Sequence, residues 1–138
     1  MGDLTITFIC PNGQSMAVHQ QGGGGTNLGV PDQGDGTGPG VGWDYYWSPL
    51  ATNGTWAENA TGQLPSGTYE SAQPFTLLEG CPLNGTWEIE VCDSWGLDDG
   101  YIFDWTIHFN PELYPEPIVF TPVFGMDCDS SSWSGPNI

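Results

Sequence analysis

The chain has 138 residues, of which 17 are Asp or Glu and none is Lys or Arg, giving a formal net charge of −17. That length supports one hydrophobic core, and an apolar fraction of 38% with seven Trp argues for a folded domain over a disordered chain. With no base to displace counterions from phosphate, nucleic acid and anionic membrane are excluded as partners, and internal salt bridges are almost unavailable.

In chain order, DLTITFIC alternates Leu4, Ile6, Phe8 and Cys10 against Thr5 and Thr7, the period of a half-buried strand. PNGQ supplies a turn and SMAVHQ a second strand, with Met16 and Val18 on a common face, so the chain opens on a hairpin.

Residues 20 to 44 form a glycine-rich run. A phosphate cradle would need a strand–turn–helix context, but no helix follows and the nearby charges are all acidic. Two readings remain, a flexible spacer and a loop that binds a hard cation. The second draws on Asp32, Asp35 and Asp44, because glycine lets several backbone carbonyls turn toward one point. The run is not an EF-hand, since the acid at position twelve and the flanking helices are missing.

WDYYW (43–47), GTWAE (54–58) and YESAQPFTLL (69–78) read as short strands separated by Gly, Pro and Asn. In residues 84–109, Trp87, Ile89 and Val91 alternate against Glu88, Glu90 and Cys92. Beyond an Asp-Gly turn, Tyr101, Phe103, Trp105, Ile107 and Phe109 alternate against Ile102, Asp104, Thr106 and His108. This predicts a central antiparallel hairpin with one aromatic face. Its register sets Glu90 or Glu88 opposite Asp104, about 5 Å away, where only water or a cation can relieve the repulsion. Glu90 and Asp104 are therefore a second candidate metal pair. The Pro-rich tail, 111–138, reads as an edge strand around 118–120 followed by a linker.

The four Cys lack zinc-site spacing, so two disulfides and an extracellular location are expected. Of the three pairings four Cys allow, parity favours Cys10 with Cys81, beneath the sheet edge, and the outward Cys92 with Cys128 from a returning tail. His19 and His108 are the only candidate general bases. Each sits at a strand end, where a hydrogen-bonding surface or turn role is expected. No nucleophile elbow is present, so no catalytic residue is assigned. Asn53-Gly54-Thr55, Asn59-Ala60-Thr61 and Asn84-Gly85-Thr86 match the glycosylation sequon and read as turn residues.

LTITFICPNGQ, followed by GTWEIEVCDSWGLDDGYIFDWTIHF, resembles the P-domain (P/Homo B) family. That is the β-sandwich appended to subtilisin-like proprotein convertases and to many bacterial secreted proteins. The glycine-rich run and GWDYYWSP resemble the variety found in large secreted surface proteins of Bacteroidetes. The resemblance covers residues 3–110 and implies a jelly-roll-like module, often calcium-bound, without catalytic residues of its own. No protease domain lies beside it, so the convertase role is not carried over.

The expectation is an all-β, jelly-roll-like two-sheet antiparallel sandwich of about eight strands over residues 1–110, with 111–138 packed on it as edge strand and tail. Its core comprises Leu4, Ile6, Phe8, Trp87, Ile89, Val91, Phe103, Trp105 and Ile107. The function expected is a non-catalytic, Ca²⁺-binding spacer or adhesion module, monomeric, cut from a larger secreted or cell-surface protein with neighbouring domains. The alternative is a carbohydrate-binding module for extracellular polysaccharide that stacks sugar rings on Trp43, Tyr45 and Trp47.

Overall fold

A computed structural model describes residues 1–32, 38–96, 100–114 and 135–136. Residues Met1–Trp105 form one compact unit and Thr106–Ile138 another. The described secondary structure is strand, with two short 3-10 turns and no α-helix. The chain is therefore all-β, and no helix among the described residues is long and apolar enough to cross a membrane.

Strand β1 (Leu4–Ile9) and β2 (Ser15–His19) form the expected hairpin. Cys10 and Gln14 close it through Cys10 N to Gln14 O (2.9 Å), and Gly13 sits at φ +88° in the turn. Ile6, Met16 and Val18 are buried in the core, with Leu4 and Phe8 packed against it. The outer side of β2 is covered by residues 72–73, whose backbone amides donate to Val18 O (2.9 Å) and Ala17 O (3.0 Å).

The 84–109 hairpin does not form. Glu88–Asp93 is a strand, but it pairs with β1 and lies at the edge of a sheet whose centre is β1, in the order Ser15–His19, Leu4–Ile9, Glu88–Asp93. Residues 100–109 are not in a strand. Electrostatics favour the observed pairing, because Glu90 stands opposite Thr7 and Glu88 opposite Ile9, so no carboxylate faces Asp104 across a ladder. Ile89 and Val91 still line the core side, opposite Phe8 and Ile6. Trp87 is half-buried, and its indole donates to Leu83 O (3.3 Å). Phe103 (61% exposed) and Trp105 (39%) are not core residues, and Ile107 is only half-buried.

Between Asn27 and Tyr69 lie four short strands: β3 (Asn27–Leu28), β4 (Tyr45–Trp47), β5 (Gln63–Leu64) and β6 (Gly67–Tyr69). β3 pairs with β5 and β4 with β6, both in parallel, so the expected wholly antiparallel arrangement is corrected. Glu88–Asp93 is then β7.

GTWAE is a turn. Glu58 Oε2 accepts from Thr55 N (2.8 Å) and Thr55 Oγ1 (2.9 Å), holding the Glu58 carboxyl below the usual range, while Asn59 N donates to Thr55 O (3.2 Å). This turn drives Trp56 into the core, where it stacks on Trp47 (centroids 4.5 Å apart), Tyr45 (5.3 Å) and His19 (5.1 Å). Within YESAQPFTLL, Tyr69 ends β6, whereas Pro74 leads into a 3-10 turn at Phe75–Leu78. In the second unit Pro111–Leu113 forms a 3-10 turn, capped by Asn110 Oδ1 accepting from Glu112 N (3.0 Å). The edge strand expected at 118–120 lies outside the described residues.

Candidate functional site

The glycine-rich run is built into the fold at both its described ends. Gly2 N donates to Gly24 O (3.0 Å), Gly22 N to Gly2 O (3.0 Å), and the Met1 amine to Thr26 O (2.9 Å), with Asp3 Oδ1 at 4.0 Å from that amine. Thr26 Oγ1 also donates to Thr61 O, tying the run to the residues that lead into β5. Further on, Val30 and Val41 exchange two 2.8 Å backbone bonds and close the loop between them. Gly29 (φ +68°) flanks this bridge, and a Cβ there would collide with the Val41 carbonyl.

Asp32 lies within this closed loop and accepts from Gly38 N at 3.3 Å. Asp35 lies outside the described residues. Asp44 is exposed just beyond the loop, before β4. Glu90 projects from the exposed side of β7, and Asp104 accepts from the Trp105 amide (2.8 Å). Among the described residues no group of three or more His, Cys, Asp or Glu side chains converges as a metal site.

His19 is buried, at 2% exposure, contrary to the surface role expected of it. Its Nε2 lies 3.1 Å from Met1 O, and burial, with a smaller effect of the nearby ammonium, holds its pKa below the ordinary value. Packed under Trp56, it has no open face to a substrate. His108 is exposed, with Nε2 3.4 Å from Thr106 Oγ1. The Cys10–Cys81 disulfide is present, with Cα atoms 6.0 Å apart. Cys92 is exposed and has no disulfide partner among the described residues; its expected partner, Cys128, lies outside them.

The three aromatics expected to share a sugar-stacking face are divided. Tyr45 and Trp47 point inward and pack on the core. The Tyr45 hydroxyl accepts from Gly29 N (2.8 Å) and donates to Leu64 O (3.0 Å), and burial raises its pKa. Trp43, before the strand begins, remains 37% exposed. With Tyr45 and Trp47 inward, strand alternation turns Tyr46 outward, 52% exposed, opposite Thr68 in the β4–β6 register.

Trp43, Asp44, Tyr46, Ser66 and Thr68 line a shallow, wide-mouthed depression of about 510 Å³. Thr68 O accepts from Asn53 Nδ2 (3.0 Å), and Asn53 O accepts from Nδ2 of Asn59 in the Trp56 turn (2.6 Å). At one end the Phe103 ring covers Gly42, where a Cβ would come within 2.6 Å of it. Tyr46, Ser66 and Thr68 were not among the expected site residues. The inward Tyr45 and Trp47 could have pointed to Tyr46, whereas Ser66 and Thr68 depend on a parallel pairing that no local pattern announces.

No protein-family model matches the chain, and no curated protein or solved structure matches it either.

Proposed function

We propose that this chain is a non-catalytic binding module of a secreted or cell-surface protein, and that it holds a glycan in the Trp43–Tyr46 groove. The observation that carries this reading is two exposed aromatic rings beside two hydroxyl side chains on one open depression. A sugar ring offers a C–H face for stacking and a hydroxyl edge for Ser66 and Thr68, and exposed aromatics of this kind mark binding surfaces. The disulfide supports an oxidising, extracellular setting. A two-sheet jelly-roll of the P-domain kind is the proposed complete architecture, with neighbouring domains in the parent protein and the module itself monomeric.

The test is titration calorimetry against a panel of soluble oligosaccharides. Trp43→Ala and Tyr46→Ala are each expected to weaken the best ligand roughly tenfold, with melting unchanged. A double variant that binds like the parent chain, or a parent chain that binds no glycan, rejects the reading.

A calcium-stabilised spacer is the second reading, favoured by the Asp32–Gly38 hydrogen bond inside a loop closed by Val30 and Val41. The donor chemistry fits a hard cation, with carboxylates from Asp32, Asp35 and Asp44 and carbonyls from a glycine-rich backbone. Glu90 and Asp104 are the weaker pair. Equal melting temperatures in EDTA and in millimolar Ca²⁺ would falsify it.

A further inference from the structure

We infer that the ligand of this groove carries a positively charged amino group, the chemistry of a de-N-acetylated amino-sugar polymer, and that Asp44 reads that charge. The inference rests on the glycan reading and narrows it. Asp44 lies between Trp43 and Tyr46 in sequence and lines the same depression. No Lys or Arg exists in the chain to neutralise it. An anionic sugar, sulfated or uronic, would bring its charge against Asp44 and against a molecule of net charge −17.

A ring bearing an ammonium group meets the opposite situation. Its C–H face lies on one aromatic ring, its charge forms a charge-assisted hydrogen bond with the Asp44 carboxylate, and the second aromatic face attracts the same cation. A lysine-bearing peptide offers an ammonium too. The depression is wide-mouthed where a lysine stem would call for a narrow slot, and Ser66 and Thr68 present hydroxyls suited to a polyhydroxylated ring.

The experiment compares a glucosamine oligomer, its N-acetylated counterpart, a cello-oligosaccharide and a lysine-rich peptide, by calorimetry in mildly acidic buffer where the sugar amine is protonated. The parent chain should bind the glucosamine oligomer at least about tenfold more tightly than the N-acetylated one, with the preference shrinking as salt is added. Asp44→Asn should bring the two to parity and leave the neutral oligomers unchanged. Glu88→Gln, an equal loss of charge on β7, should keep the preference. Neutral oligomers bound without preference for the amine overturn this inference and leave the glycan reading standing. A preference that falls equally in Glu88→Gln assigns it to the overall field and also overturns it. Asp44-dependent binding of the peptide alone, or no binding at all, removes both readings.

Discussion

Six residues of β1 pair with six of β7, whereas β4 and β6 share three and β3 and β5 share two. The antiparallel sheet is held largely by its own ladders. The short parallel pairs are held from outside, by Tyr45 bridging Gly29 and Leu64, by Asn53 reaching Thr68, and by Trp56 stacking beneath β4. The proposed groove therefore sits on the part of the unit whose strands are too short to stand alone. Its support comes from side chains on the side away from that groove.

Trp56→Ala should give the largest effect, because this ring joins the two regions through Trp47, Tyr45 and His19. A loss of about 3–5 kcal/mol is expected in chemical denaturation, with hydrogen-exchange protection lost most in β4–β6 and less in β1, β2 and β7. Trp56→Phe should cost much less, since the buried indole N–H finds no hydrogen-bond partner among the described residues. Protection retained in β4–β6 after Trp56→Ala would show that those strands do not depend on the ring.

Calcium should act on one region only. If the loop binds it, folded-state linkage adds about 2.7 kcal/mol at a hundredfold excess over Kd, with slowed exchange around Val30 and Val41 and little change in β1 and β7. Tyr45→Phe, the smallest of the three, removes two hydrogen bonds while keeping the ring. It should cost about 1–2 kcal/mol, raise exchange at Gly29 and in β4–β6, and weaken binding in the groove. Uniformly raised exchange across β1, β2 and β7 as well would mean that the regions are one cooperative block.

The same contrast governs how much could be read from sequence. Leu4, Ile6 and Phe8 alternate with threonine, and Met16 and Val18 follow a turn residue at Gly13, so β1 and β2 are written locally. β7 was equally visible as a strand, but periodicity fixes a strand's faces and not its neighbour. The choice of β1 over residues 100–109 places Thr7 and Ile9 opposite Glu90 and Glu88. GTWAE reads as a strand because five residues are too few to separate alternation from a turn, and Trp56 instead lies in a turn. Of the groove, the sequence marks Trp43 as a sugar-stacking residue and Asp44 only as a cation ligand, and Tyr46 and Thr68 become neighbours only through a parallel register between segments about 20 residues apart in sequence.

The Cys10–Cys81 disulfide, with a sequence separation of 71, encloses β2 through β6 and the whole groove in a covalent loop. Consider tension applied to the two ends of the chain. Once the bonds of Met1 and Gly2 to residues 22–26 give way, it enters β1 at Leu4 and leaves β7 at Asp93, and those two residues are partners at the same end of one ladder. The load therefore peels the β1–β7 bonds in succession until it reaches Ile9 and Glu88, and there the disulfide takes it up. Behind that stop, ~240 Å of chain at ~3.4 Å per residue is withheld from extension. Under such a load the chain would give by the length of these two strands and then stop, with residues 42–68, where the proposed groove lies, held inside the covalent loop.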